Sequence, residues 1–169
     1  MFQHRLLEKY NNRKLEWFHD ALFFAGLVVI VFLIFRFLIG VSFVSGDSMS
    51  PSLEDGECVI YLRPTGELVP GDVISLWVPS GDYYVKRVIA VGGDEVNIKD
   101  GCVYINGELY EDEYGYGTTE KEEGAVIYPY TVREGNVFVL GDNRENSKDS
   151  RAFGEVNEVQ IKGRIIFHF

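Results

Sequence analysis

The chain has 169 residues and carries 26 acidic against 16 basic side chains, a net charge of −10. That length holds one membrane segment and one domain of about 120–130 residues, near the commonest domain size. The acidic balance sets aside nucleic acid as a partner, because phosphate binding needs clustered lysine and arginine.

In chain order, the first feature is residues 21–40, ALFFAGLVVIVFLIFRFLIG, whose single charge is Arg36. Twenty apolar residues match about 30 Å of hydrocarbon, and Arg36 lies near one end where it can snorkel. A helix apolar on every side is hard to bury in a domain this small, which argues against a core helix. A cleaved leader fits poorly, because the run is too long, twenty mostly polar residues precede it, and Gly40-Val41-Ser42 leads straight into the Ser48 segment. The segment reads as a retained single-pass anchor. Arg5, Lys9, Arg13 and Lys14 against Glu8, Glu16 and Asp20 place residues 1–20 in the cytoplasm and residues 41–169 outside it. That outer body has 11 basic and 23 acidic residues, a net charge of −12.

Past residue 41 the pattern is of short β-rich runs between turns, at 57–62, 72–78, 83–91, 95–99, 102–105, 136–140 and 160–169. The fold class expected is mainly β: one N-terminal transmembrane helix followed by one antiparallel β-sheet domain. Gly92-Gly93-Asp94, Asp100-Gly101 and Asn106-Gly107 are hairpin-type turn signals, and the second joins the runs at 95 and 102. The acidic, glycine-containing stretch 110–124 reads as a surface loop. Cys58 and Cys102 have no metal spacing; they fit either a disulfide in an oxidising compartment or two small buried apolar side chains.

The chemistry concentrates in three segments. Ser48 sits in Gly46-Asp47-Ser48-Met49-Ser50-Pro51, a loop in which Gly46 relaxes the backbone. The three histidines, His4, His19 and His168, are badly placed to serve as its base. Lys86 is better placed. It lies in the strand-like run 83–91, where alternation puts Tyr84, Lys86, Val88 and Ala90 on one face. Apolar neighbours disfavour an ammonium, and a neutral lysine accepts a proton from serine. An edge-strand lysine pointing to water is the bland alternative. The third segment, residues 141–151, packs Asp142, Asn143, Arg144, Ser147, Asp149 and Arg151 into eleven positions and reads as a fixed polar network.

Together the anchor, SGDSMSPSL, GDVISLW, YYVKRVIAVGGDEV and GDNRENSKDSRAFG resemble the ordered boxes of the bacterial type I signal peptidases, membrane-anchored Ser/Lys proteases that remove signal peptides. The resemblance implies Ser48 as nucleophile and Lys86 as general base, with Ser147 hydrogen-bonding the lysine. It further implies ion pairs of Asp149 with Arg151 and of Asp142 with Arg87. Met49 and Tyr84 are expected beside the substrate, cleaved after small residues at −1 and −3. Neither cofactor nor metal is expected; the partners implied are signal peptides and membrane lipid, and the state a monomer. Gly46 stands where some relatives carry an oxyanion-holding serine, which leaves the Ser48 amide as the donor expected there. The single anchor and short middle resemble the compact Gram-positive forms. Two rivals share the fold: a self-cleaving transcriptional repressor, which a membrane span and acidic charge argue against, and an inactive membrane-anchored binding module.

Overall fold

The computed structural model describes residues 2–63, 65–79, 81–122 and 126–169, with side chains from residue 16 onward. It comprises two units, residues 1–38 and 39–169. The first is one helix, α1 (Phe2–Phe37), which therefore begins well before the expected residue 21. Its stretch Glu16–Phe37 has 22 residues, about 33 Å at 1.5 Å per residue, and none of its apolar side chains is buried by protein. The helix stops three residues short of the expected boundary. Ile39 and Gly40 already belong to a strand, where a side chain at residue 40 would run into the Tyr61 ring.

Eleven strands make up the second unit. They are β1 (Ile39–Phe43), β2 (Cys58–Leu62), β3 (Val73–Trp77), β4 (Tyr83–Val91), β5 (Glu95–Lys99), β6 (Cys102–Ile105), β7 (Glu108–Leu109), β8 (Tyr130–Thr131), β9 (Asn136–Leu140), β10 (Val156–Asn157) and β11 (Ile161–His168). All pairings between them are antiparallel, as the sequence predicts, but they divide between two sheets. The larger runs β1-β2-β11-β3-β4-β9-β10 and the smaller β7-β6-β5-β8. Strands β1, β7, β8 and β10 have no counterpart among the predicted runs: three are two-residue pairings too short for a periodic signal, and β1 is hidden in the tail of the apolar stretch. A helix of one turn, α2 (Ser150–Phe153), also escaped prediction, because a single turn carries no periodicity.

Apolar side chains fix how the sheets meet. Ile89 and Ala90 of β4 and Phe138 and Leu140 of β9 pack with Val96 of β5 and Val103 of β6, so the small sheet covers the distal halves of β4 and β9. Asp100-Gly101 turns the β5–β6 hairpin with both residues at positive φ, 53° and 77°. Gly92-Gly93-Asp94 is a turn but not a hairpin; it carries the chain from the large sheet into the small one. The cysteines match neither alternative. Cys58 and Cys102 are both free, on strands of different sheets, and Cys102 is exposed.

Strand β11 shifts register between Ile161 and Gly163 against β3, and again between Ile165 and Phe167 against β2. These irregularities let it twist between its neighbours. At Gly163 the backbone lies against the Leu62 carbonyl and the Tyr61 ring, leaving no room for a Cβ. Gly163→Ala is therefore expected to lower the stability of the detergent-solubilised protein by about 1–3 kcal/mol in denaturant unfolding. An unchanged midpoint would show that β11 yields there.

Candidate active site

The site starts from β4. Tyr83–Trp77 through Arg87–Val73 pair it with β3, and Arg87–Leu140 through Val91–Val137 pair it with β9. β4 is thus an interior strand, not the edge strand of the bland reading, and Lys86 is only 2% exposed. Residues 83–86 are bonded on one side only, because the β9 pairing begins at Arg87. Lys86 Nζ points at the serine loop and donates to Ser48 Oγ at 2.6 Å and to the Val85 carbonyl at 3.0 Å. Its other neighbour is the Tyr84 ring, 5.4 Å from Nζ, which leans on Phe153 of α2.

Desolvation is the largest influence on this amine and lowers its pKa from 10.5 to about 8. Asp149 and Asp142 pull the other way, and Arg151 reinforces the lowering. The acids are weak competitors because each is held by its own arginine. Asp142 takes Arg87 Nε at 2.8 Å and Nη2 at 2.6 Å; Asp149 takes Arg151 Nε and Nη2, both at 2.9 Å. All four side chains are buried, and the bidentate geometry spends the carboxylate lone pairs on guanidinium.

The serine loop is held from below and from the side. Met49 is buried with Val44, Leu53 and Val59, so the loop has an apolar floor. Gly46, at φ 85°, donates its N–H to Asp55 Oδ1 at 2.7 Å. The Ser48 carbonyl accepts from the Asn143 N–H at 3.1 Å, and the Asn143 side-chain amide reaches the Asp47 carbonyl at 3.2 Å. The Ser48 N–H itself donates to no group among the described residues.

Segment 141–151 therefore does more than supply ion pairs. Gly141 lies flat against the Ser48 carbonyl and Ser147, where a Cβ has no space. Its N–H donates to Asp149 Oδ2 at 3.1 Å, and Asp149 caps α2 by accepting from the Arg151 N–H. Ser147 is brought to the site and its Oγ is buried, yet that oxygen finds no hydrogen-bond partner among the described residues. The hydrogen bond to Lys86 expected of it is not made; Lys86 spends its donors on Ser48 and Val85 instead.

Sequence reasoning placed Asn143 and Arg144 in the polar network without a role, and missed Gly141. Arg144 is buried: it pairs with Asp112 and donates to the Gly141 carbonyl at 2.8 Å and to Thr119 Oγ1 at 3.1 Å. Tyr116 bridges Asn143 in parallel fashion. Within the stretch expected as a surface loop, residues 112–119 are accordingly stapled to the polar segment.

Against this geometry, the description "Signal peptidase, peptidase S26" fits residues 15–169 by its family model. Signal peptidase IB of Staphylococcus aureus is 37% identical over 172 residues, covering 92% of this chain and 88% of that protein. Signal peptidase I of Bacillus licheniformis is 37% identical over 177 residues, covering 96% and 93%. The crystal structure of a signal peptidase I from Enterococcus faecalis V583 superposes with a TM-score of 0.51 at 31% identity, over 60% of this chain and 99% of that one. The fold and these relatives are those of a serine peptidase. The chain belongs to the signal peptidase S26 family.

Two outcomes follow from the site's packing. Because folding lowers the Lys86 pKa, the unfolded chain holds more protons between pH 8 and 10.5, and stability rises with pH through that window. Below pH 8 the charged amine costs about 3 kcal/mol. Lys86→Met should therefore raise the Tm at pH 7 and lose that advantage near pH 10.5; an equal Tm at pH 7 would contradict the desolvation account. Gly141→Ala should push the Ser48 loop out of line and cut peptidase activity at least tenfold, with the β circular-dichroism signal retained. Full activity in that variant would show that the loop is set elsewhere.

Proposed function

We propose that this chain is a membrane-anchored endopeptidase that removes signal peptides, with Ser48 as nucleophile and Lys86 as general base. The observation that carries the reading is the 2.6 Å contact between Lys86 Nζ and Ser48 Oγ at a fully buried amine with a pKa near 8. A preprotein lies extended along the free backbone edge of residues 83–86, presenting its carbonyl to Ser48. Neutral Lys86 takes the Oγ proton as Oγ attacks, and the oxyanion that forms is met by the free Ser48 N–H. The lysine then protonates the departing amine, leaving an ester on Ser48. A water molecule loses its proton to Lys86 and hydrolyses that ester.

The remaining residues position this pair. Met49 seats the loop, and Tyr84 and the cavity beside it take substrate side chains. Arg87 and Arg151 hold Asp142 and Asp149 away from the amine. Ser147, buried beside Gly141, orients the lysine once substrate displaces the resting contacts. Helix α1 anchors the enzyme, its N-terminus cytoplasmic by the basic excess before the span and the body outside. Enzyme and preprotein share the bilayer, which raises their effective concentration, and small side chains at −3 and −1 fit the confined cavity. The enzyme works as a single copy.

Ser48→Ala, Lys86→Ala and Lys86→Arg should each lower cleavage of a preprotein by about 10³-fold or more, since guanidinium does not deprotonate in the working range. Ser147→Ala should cost about 10–100-fold. Activity of the parent should rise with pH through about 8, because only the neutral amine accepts the proton. Near-normal cleavage by any Ser48 or Lys86 variant, or a plateau already reached by about pH 6, would end the assignment.

A further inference from the structure

The peptide unit joining Asp47 to Ser48 is held unevenly. Its carbonyl, on Asp47, accepts from two donors, the Ser50 N–H at 3.1 Å and the Asn143 side-chain amide at 3.2 Å. Its N–H, on Ser48, donates to no group among the described residues. The bond is trans, so carbonyl and N–H point in opposite directions and a grip on the first aims the second. Donors on the carbonyl also polarise the unit and strengthen its N–H, by on the order of 10–30% per bond. The two grips differ in reach. Ser50 belongs to the same turn and orients the carbonyl only within the loop. Asn143 lies on the segment after β9, and its own N–H holds the Ser48 carbonyl at 3.1 Å, so it fixes the peptide units on both sides of Ser48. That segment is itself pinned from outside: the Tyr116 N–H donates to the Asp142 carbonyl at 2.7 Å, and the Tyr116 carbonyl accepts from the Arg144 N–H at 2.9 Å. Asn143 thus ties the serine turn to the frame of β9 and, through the β9 ladder, to the strand that carries Lys86.

Resting on the roles proposed above for Ser48 and Lys86, we infer that Asn143 is a positioning residue of the reaction: its side-chain amide sets the direction and donor strength of the Ser48 N–H, the group that meets the oxyanion. Gly46 has no side chain to supply a second donor, so the aim of this one N–H weighs more. A donor that acts only on the transition state lowers kcat when it is lost and leaves substrate affinity in place. The Lys86 amine takes its hydrogen bonds from Ser48 and Val85, not from Asn143, so its titration is independent of the Asn143 amide.

The test uses the full-length enzyme in detergent, a preprotein substrate, and a peptide aldehyde with alanine at −3 and −1. When the aldehyde binds, Ser48 Oγ bonds to its carbon, the Oγ proton passes to Lys86, and the carbonyl π pair moves onto the oxygen, which occupies the oxyanion position. Asn143→Ala should lower kcat by about 10–100-fold with KM within about twofold of the parent, and should weaken the aldehyde by the same factor as kcat/KM. The rise of its activity with pH should keep its midpoint near 8. Asn143→Asp matches the parent in shape but lacks the amide donor, and should lose as much activity, whereas a role in packing alone would spare it. Parent-like kcat in either variant, a loss carried by KM, a shifted midpoint in Asn143→Ala, or loss of the β circular-dichroism signal in both variants overturns the inference. Ser48→Ala separates the two readings. When it abolishes cleavage while the Asn143 variants stay fully active, only the inference falls; when Ser48→Ala still cleaves, the nucleophile assignment falls with it.

Discussion

An amine buried between strands becomes a useful base only if no carboxylate nearby is free to pair with it, and this constraint organises the site. Asp142 and Asp149 are both close enough to raise the Lys86 pKa. Each is instead committed in bidentate fashion to Arg87 or Arg151, and those arginines are themselves buried. Their fields still raise the lysine pKa, Arg151 opposes them, and desolvation outweighs both. The two ion pairs are best understood as a way of keeping negative charge occupied. Buried ion pairs are weak contributors to stability, so their value here lies in what they prevent.

The same short polar segment also sets the Ser48 loop. Asn143 holds the Ser48 carbonyl, Gly141 allows the close approach, and Asp149 ties the Gly141 N–H to the cap of α2. Lys86 and Ser48 thus come from different elements, β4 and the loop after β1, but share one clamp. Arg144 extends it outward by joining Asp112 and Thr119 to the Gly141 carbonyl. A polar cluster with so few loose donors behaves as a rigid unit, and a change in one member is felt by the others.

Much of this was legible in the chain, for identifiable reasons. Strand runs at 83–91, 95–99, 102–105 and 136–140 coincide with β4, β5, β6 and β9, because β-branched residues between glycine turns leave few alternatives. Ser48 and Lys86, 38 residues apart, are brought into contact. What escaped was mostly tertiary. No local pattern says that Arg144 is buried rather than solvated, that a two-residue pairing such as β10 exists, or that the strands split into two sheets where β4 and β9 continue past their shared core. The expected Ser147–Lys86 bond followed from resemblance to relatives, and here the lysine's geometry favours Val85 and Ser48 instead. The end of α1 was misplaced because Ile39 suits a membrane helix as well as a strand, and only the Tyr61 ring beneath Gly40 decides between them.

Strand β4 changes partners part-way along its length. Its distal residues are covered on both sides, whereas residues 83–86 keep one backbone edge open until the β9 ladder closes it at Arg87. Four residues of strand measure about 13 Å, so a guest backbone paired there would be gripped over a short, fixed length and halted by β9. For the proposed Ser48–Lys86 pair such an edge would act as a ruler: the distance from stop to lysine is written in covalent geometry, and a chain docked there would be cut at a place counted in residues, with little dependence on the sequence farther away.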